Sequence, residues 1–146
     1  MPSSDEPKIV RPSPPVVEAL WSQIEPLVEL AIPRACGRLQ AKDVLEGCRS
    51  GIFDLWIVGV PGRHVIEAVA VAELLTFSTK RVLSLFLVSA KPLRRFLPLM
   101  AEIERRAIEL ECEEIQVQGS RAWRRFLPQL RERFTVLTME VDHGQR

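Results

Sequence analysis

Two glutamates, Glu67 and Glu73, stand six positions apart in the mainly apolar segment 64–77. Apolar residues occupy successive positions of this segment, which predicts a strand covered on both faces of its sheet. A carboxylate held beside a substrate on such a strand can accept a proton, so either glutamate is a candidate general base. In the alternative interpretation one of them pairs with an arginine and the other reaches solvent at an end of the strand.

Three cations, Lys91, Arg94 and Arg95, follow the next apolar segment, 81–89, where a strand should give way to a helix. Positive charge at that junction could attract a phosphate group. Pro92 lies among them and has no backbone N–H to offer an anion. In the alternative interpretation the three cations bind no phosphate and lie in solvent at the start of a helix.

A tryptophan and three arginines lie together further along, as Arg121, Trp123, Arg124 and Arg125. Tryptophan and arginine often dominate the energy of protein interfaces, so these four are candidate partner-binding residues. In the alternative interpretation Trp123 belongs to the core and the arginines face solvent. Nucleic-acid binding is disfavoured, because the net charge is only +1 and no exposed aromatic residues alternate with the arginines.

Metal and histidine chemistry is disfavoured by the number and placement of the ligand residues. His64 and His143 are the only histidines and are far apart in the chain, so we expect no metal site and no histidine-based relay. Cys36, Cys48 and Cys112 are odd in number and widely spaced. They fit reduced, mostly buried thiols better than a disulfide framework.

The chain shows no signal for export or for membrane insertion. Residues 1–6 lack the basic and apolar regions of a signal peptide, and no apolar run approaches the roughly 18 residues of a membrane span. We therefore expect a soluble protein without a membrane partner. Its 146 residues suit one domain, which we place at 16–146.

The first 15 residues contain five prolines among mainly polar residues. Such a segment buries little, so we expect an extended arm at 1–15 that is either disordered or lies along a neighbouring subunit. The periodicity of 16–30 then predicts a helix that Pro26 kinks or divides. A second helix, 41–48, should end at Gly47 or Gly51.

The rest of the chain predicts an α/β (α+β) fold, with a mixed, mostly antiparallel central sheet and helices on both faces. Pro61 and Gly62 mark a turn between two strands, and a later helix begins near Pro98 or bends there. In the second strand, Ile66 should share a face with Ala68 and the alanines that follow. The predicted strands are 53–60, 64–77, 81–89, 114–118 and 134–141, with helices near 93–110 and 120–130.

In its order of elements, segment 53–141 resembles the GNAT acyltransferase superfamily. The resemblance implies a GNAT-like fold with a cofactor cleft, in which a loop of the form Q/R-x-x-G-x-G/A meets the pyrophosphate of acetyl-CoA. The corresponding stretch, 88–95, has no glycine. Members also often supply a tyrosine as general acid, and this chain has none. These departures predict a degenerate module that binds or assembles without catalysis and without a cofactor.

The alternative is an N-acetyltransferase that binds acetyl-CoA through an atypical pyrophosphate loop. The resemblance then assigns Lys91, Arg94 and Arg95 to cofactor binding. It assigns the role of base to Glu67 or Glu73, since a strand glutamate often serves as the base in this superfamily.

Segment 118–128 is similar to one in small GNAT-like proteins of tailed phages, although Ala122 stands where a glycine is usual. This resemblance implies a virion or assembly protein of phage or prophage origin. Its partners would be other protein subunits, contacted through the N-terminal arm or the Trp123 segment. Its location would be the host cytoplasm or the virion.

Overall fold

The computed structural model of the chain describes residues 7–35, 38–59, 65–90, 97–118, 123–132 and 137–144, apart from the side chain of Phe126. A five-stranded sheet of order β1-β2-β3-β4-β5 forms its centre. The strands are β1 (Lys8–Val10), β2 (Phe53–Gly59), β3 (Ile66–Thr76), β4 (Arg81–Ala90) and β5 (Glu114–Val117). The helices are α1 (Pro14–Ala19), α2 (Trp21–Ala31), α3 (Ala41–Ser50), α4 (Pro98–Glu109) and α5 (Trp123–Phe126), with a 3₁₀ turn at Ile32–Ala35.

The first four strands pair antiparallel, and β5 pairs parallel to β4. The parallel pair needs a crossover connection, and α4 supplies it between the end of β4 and the start of β5. Helices α1, α2 and α3 pack on one face of the sheet, and α4 packs on the other. The predicted fold class is therefore confirmed.

Strand β3 lies at the centre of the sheet and is buried on both faces, as its apolar pattern predicted. Val69 and Val71 pack in the cluster beneath α1, α2 and α3. The opposite face of β3 contributes small side chains to the cluster beneath α4, and these are Ala68, Ala70 and Ala72. Helix α4 contributes Leu99, Ile103 and Ala107 to the same cluster.

The predicted position of Ile66 was wrong, because it packs with the valine face of β3 and not with the alanines. The cause is a bulge. Ile66 pairs with Gly59 and Ala68 pairs with Val58, which leaves Glu67 as an extra residue in β3. An extra residue shifts the alternation of side chains across the strand, and this shift moves Ile66 to the other face.

The first predicted helix is divided, but the division falls at Leu20, and Pro26 lies inside α2. The physical reason is tertiary packing, since α1 packs mainly on α3 whereas α2 packs on β3 and β4. The second helix ends at Gly51, whose φ of 80° is a left-handed conformation that glycine adopts readily. Of the two predicted alternatives for α4, the structure has the helix beginning at Pro98.

The predicted N-terminal arm is partly integrated into the domain. Lys8–Val10 pairs with β2 of its own chain as an edge strand, and α1 already begins at Pro14. Part of the segment predicted as an arm thus belongs to the sheet, whereas the boundary at residue 15 and contact of the arm with a neighbouring subunit stay predictions. Residues 1–6 lie outside the described residues.

The predicted final strand is absent from 137–144, the part of the C-terminal region that the structure describes. Residues 133–136, where that strand was expected to begin, lie outside the described residues. The apolar side chains of Leu137, Met139 and Val141 are exposed. The alternating pattern exists, but no strand of the same protomer pairs with it in the described part of the chain.

Cys48, on α3, is a buried thiol whose chemistry can be tested. Burial raises the pKa of Cys48 to about 11, and the Asp54 carboxylate adds to this shift. The thiolate is the reactive form, so in a variant whose other two cysteines are serines we expect labelling by a disulfide reagent about 100-fold slower than for an ordinary thiol. Denaturant should restore the ordinary rate. Rapid labelling of the native variant would show that the Cys48 site is open.

Candidate functional site

The parallel pair formed by β4 and β5 is much shorter than β4. Its register ends where Leu85 lies opposite Val117, and one more hydrogen bond joins the Gln118 nitrogen to the Leu85 oxygen at 3.0 Å. Strand β4 continues beside β3 as far as Ala90. Among the described residues, 86–90 are therefore paired on one edge only. We call the edge of 86–90 that faces away from β3, beyond the last described β4–β5 hydrogen bond, the β4–β5 cleft.

A bulge at Phe86 marks the position where this cleft opens. Consecutive residues of β3 pair with Leu85 and Leu87, so Phe86 is an extra residue in β4. Its side chain is buried, and its ring centroid lies 5.0 Å from that of Phe53. A bulge bends its strand and often ends regular pairing. The bulge directly follows Leu85, the last residue of β4 in register with β5, and core packing of Phe86 holds it in place.

The two predicted base candidates lie at different positions along the cleft. Glu67 is adjacent to Ala68, which pairs with Ala90 at the open end of β4. Glu73 pairs with Ser84, in the part of β4 that β5 covers. Six residues of a strand span about 20 Å, so the structure does not bring the two carboxylates together. Both side chains are half-buried, and only Glu67 is near the open end.

A polar group where β5 leaves β4 was missed by sequence reasoning. Ser84 is fully buried, and its Oγ accepts a hydrogen bond of 3.1 Å from Gln118 Nε2. The Ser84 hydroxyl also donates a long hydrogen bond of 3.5 Å to Gln116 Oε1. The available signal was a serine inside an apolar strand, together with glutamines at alternate positions. These amides can hydrogen-bond a polar ligand at the closed end of the β4–β5 cleft.

The predicted phosphate-binding cations, Lys91, Arg94 and Arg95, lie outside the described residues. Along the chain they come between the end of β4 and the start of α4. They are thus next in sequence to the open end of the β4–β5 cleft. Their role stays a prediction.

The predicted partner-binding segment includes the short helix α5. Trp123 is half-buried and packs against the cluster beneath α4, which agrees with the alternative core interpretation. Arg124 and Arg125 are exposed, and Arg121 lies outside the described residues. The two described arginines are thus accessible to solvent or to a partner, and partner binding stays a prediction.

A second polar group that the sequence did not reveal joins α4 to β2. Arg106 Nε donates to Asp54 Oδ2 at 2.9 Å, and Arg106 Nη1 donates to Glu109 Oε2 at 3.1 Å. Arg11 Nη1 also lies 3.4 Å from Asp54. The hydrogen bond with Asp54 is the main cause that raises the pKa of Arg106. These opposite charges hold α4 against the sheet, which is a structural role.

The described part of the chain lacks a metal-ligand cluster and a membrane-spanning helix. Within those ranges, no group of three or more His, Cys, Asp or Glu side chains could hold a metal ion. No helix there is both long enough and apolar enough to cross a bilayer.

Comparison with known proteins rests on structure, because no protein-family model matches the sequence and no curated protein matches it. An aminoglycoside N-acetyltransferase, AAC(6')-Iy in complex with CoA, is 15% identical with a TM-score of 0.71, and the match covers 96% of this chain and 98% of that one. An aminoglycoside acetyltransferase from an uncultured soil metagenomic sample is 10% identical with a TM-score of 0.67, covering 94% of this chain and 97% of that one.

Glucosamine-6-phosphate N-acetyltransferase from Arabidopsis thaliana is 13% identical with a TM-score of 0.65, and the match covers 93% of this chain and 99% of that one. At such identities the likeness establishes the fold alone. The predicted resemblance to phage proteins finds no support among these structures. The chain has a GNAT-like acetyltransferase fold over nearly its whole length.

Proposed function

We propose that the protein is an acyl-CoA-dependent N-acyltransferase whose donor lies in the β4–β5 cleft. The observation that carries the proposal is that β4 continues to Ala90, whereas its described pairing with β5 ends at Leu85, directly before the Phe86 bulge. Of the two functions considered from the sequence, we thus adopt the N-acetyltransferase in preference to the non-catalytic module. The acetyltransferase structures with the same fold support that preference.

The free edge of β4 suits the extended arm of coenzyme A. Backbone groups of 86–90 that point away from β3 have no partner from β5 among the described residues. Backbone N–H and C=O groups strongly favour paired states, and an extended ligand with amide groups can pair with a strand edge. The pantetheine arm of coenzyme A is such a ligand, since it carries two amides.

The diphosphate of the donor would lie at the junction of β4 and α4. Lys91, Arg94 and Arg95 would attract it by charge, in place of the backbone N–H groups of a glycine-rich loop. Because Pro92 removes one of those donors, we expect affinity for coenzyme A to depend more on side chains and on salt than in a glycine-loop enzyme.

The acceptor is proposed to be a primary amine, with amino sugars as the first class to test. Related folds belong to enzymes named for aminoglycosides and for glucosamine-6-phosphate. The amine nitrogen attacks the thioester carbonyl, a C–N bond forms and the C–S bond breaks. Glu67 takes the proton that the amine loses, and the thiolate takes a proton from water because the chain has no tyrosine to supply one.

Calorimetry with acetyl-CoA tests the donor site directly. We expect binding, with an affinity that falls as salt rises and that weakens on Arg94→Ala or Arg95→Ala substitution. Thiol release in the presence of an amino-sugar panel tests the reaction. A chain that neither binds acetyl-CoA nor releases thiol with any amine would refute the proposal.

The second candidate is a non-catalytic binding or assembly module, including a phage or prophage virion protein in a host cell. The absence of glycine from 88–95 and of tyrosine from the whole chain favours it. In that case no donor binds, and Trp123, Arg124 or Arg125 contact another protein subunit. If acetyl-CoA binds but no acyl group is transferred, the protein would be a module that binds the donor without catalysis, which matches neither candidate fully.

A further inference from the structure

Helix α3 carries a buried glycine, Gly47, in its interior. Glycine is among the poorest helix formers, so helix propensity does not explain this residue. Space explains it. A Cβ atom at Gly47 would lie 2.5 Å from Cε2 and 2.8 Å from Cγ of Phe53, which is closer than real Cβ atoms come to other heavy atoms. The absence of a side chain at Gly47 thus lets the Phe53 ring lie directly against the backbone of α3.

A short connection places that ring. Helix α3 ends at Ser50 and β2 begins at Phe53, so only two residues join them. The first of these is Gly51, which is in the left-handed conformation and turns the chain sharply out of the helix. The Phe53 side chain is therefore held between the helix that precedes it and the sheet that it enters.

The Phe53 ring in turn meets the bulge of β4. The centroids of the Phe53 and Phe86 rings are 5.0 Å apart and their planes are inclined at 57°, a favourable geometry for two aromatic rings. Strand β3 lies between β2 and β4, so the two rings meet over β3. Phe86 and Leu87 are consecutive, yet both pack in the cluster beneath α1, α2 and α3. A regular strand would place them on opposite faces, so the burial of Phe86 on this face depends on the bulge.

We infer that Gly47 and Phe53 are positioning residues for the acyl-CoA donor. Helix α3 acts through the Phe53 ring to hold Phe86 in the core, and the bulge at Phe86 sets the course of 86–90, the edge proposed to pair with the pantetheine arm. The inference rests on the proposed function, which places the donor at that edge. Gly47 and Phe53 do not touch the donor, because β3 separates them from the free edge of β4.

Calorimetry with acetyl-CoA on a double-mutant cycle tests the inference. Gly47→Ala should raise the Kd by at least about 10-fold, because the new methyl group displaces the Phe53 ring and Phe86 with it. Phe53→Ala should also raise the Kd, because Phe86 loses the ring that supports it. In the Phe53→Ala background, Gly47→Ala should cause no further loss, since no ring remains for the methyl group to strike. Losses that simply multiply would overturn the inference.

Val44→Ala is the matched control on the same helix. Val44 is 0% exposed and packs in the same cluster, so its truncation weakens the core. It removes atoms and adds none against the Phe53 ring, so the Kd for acetyl-CoA should stay near that of the wild type. An equal rise of the Kd in Val44→Ala would overturn the inference, because general weakening of the core would then account for the loss.

Hydrogen exchange gives a second readout that needs no donor. Exchange at 85–88 should become faster in Gly47→Ala, and in Val44→Ala it should change there no more than in the rest of the sheet. Unchanged exchange at 85–88 in Gly47→Ala would overturn the coupling of α3 to the bulge, whether or not the donor binds. A wild-type chain that does not bind acetyl-CoA would instead refute the proposed function and, with it, the role of these residues toward the donor.

Discussion

Glu67→Gln is expected to lower kcat/KM for acyl transfer by about 10²- to 10⁴-fold, the usual contribution of a general base. Glutamine keeps the size of the side chain and its place in the β3 bulge, but it cannot accept the proton of the amine. The loss should appear in kcat, with little change in the Kd for acetyl-CoA, because the carboxylate acts on the acceptor. Steady-state kinetics and calorimetry on the same variant separate the two quantities.

Glu73→Gln is the matched control for that experiment. It makes the same chemical change on the same strand, about 20 Å away and beside the closed part of the β4–β5 pair. We expect kcat/KM near that of the wild type. Equal losses in both variants would contradict the assignment of Glu67 as base.

Ile103→Ala should destabilise the domain by about 2–5 kcal/mol, the largest stability change that we predict. Ile103 is 0% exposed and packs in the cluster between α4 and the alanine face of β3. The alanines of β3 in this cluster are short, so they have little length with which to fill the cavity. Urea unfolding, followed by tryptophan fluorescence, measures the change in the free energy of unfolding.

Ile108→Ala on the same helix is the matched control. Ile108 is 70% exposed, and alanine has the higher helix propensity, so the free energy of unfolding should change by less than about 0.5 kcal/mol. The pair of variants therefore compares one substitution in two environments. A similar loss at both positions would show that α4 does not pack against the sheet through Ile103.

Much of the fold could be predicted from local chemistry. β3 and β4 are apolar at successive positions, and only a strand covered on both faces of a sheet buries such a pattern. Gly51 was predicted as one of two possible helix ends, and Pro98 as one of two possible beginnings for α4. Glycine and proline act through their own backbone geometry, so these signals do not depend on distant residues.

The candidate site could be predicted only in part. From the sequence alone, Glu67 and Glu73 were equally good candidates for the general base, since each is a carboxylate on an apolar strand. Their difference comes from pairing, because Glu67 is near the end of β4 that lies beyond its described pairing with β5. The polar group around Ser84 was missed for the same reason, since Ser84 lies on β4 and the two glutamines lie on β5 and directly after it, beyond a long crossover.

The amino-acid order alone was enough for the type of β2 to β5 and for the mixed sheet between two helical layers, because burial follows residue patterns within a few turns or pleats. The positions of the bulges at Glu67 and Phe86, the break at Leu20 and the unpaired segment 137–142 could not be obtained in that way. Each of them depends on which distant strand or helix a residue meets. In the described part of the chain, those long-range pairings leave 86–90 of β4 paired on one edge only.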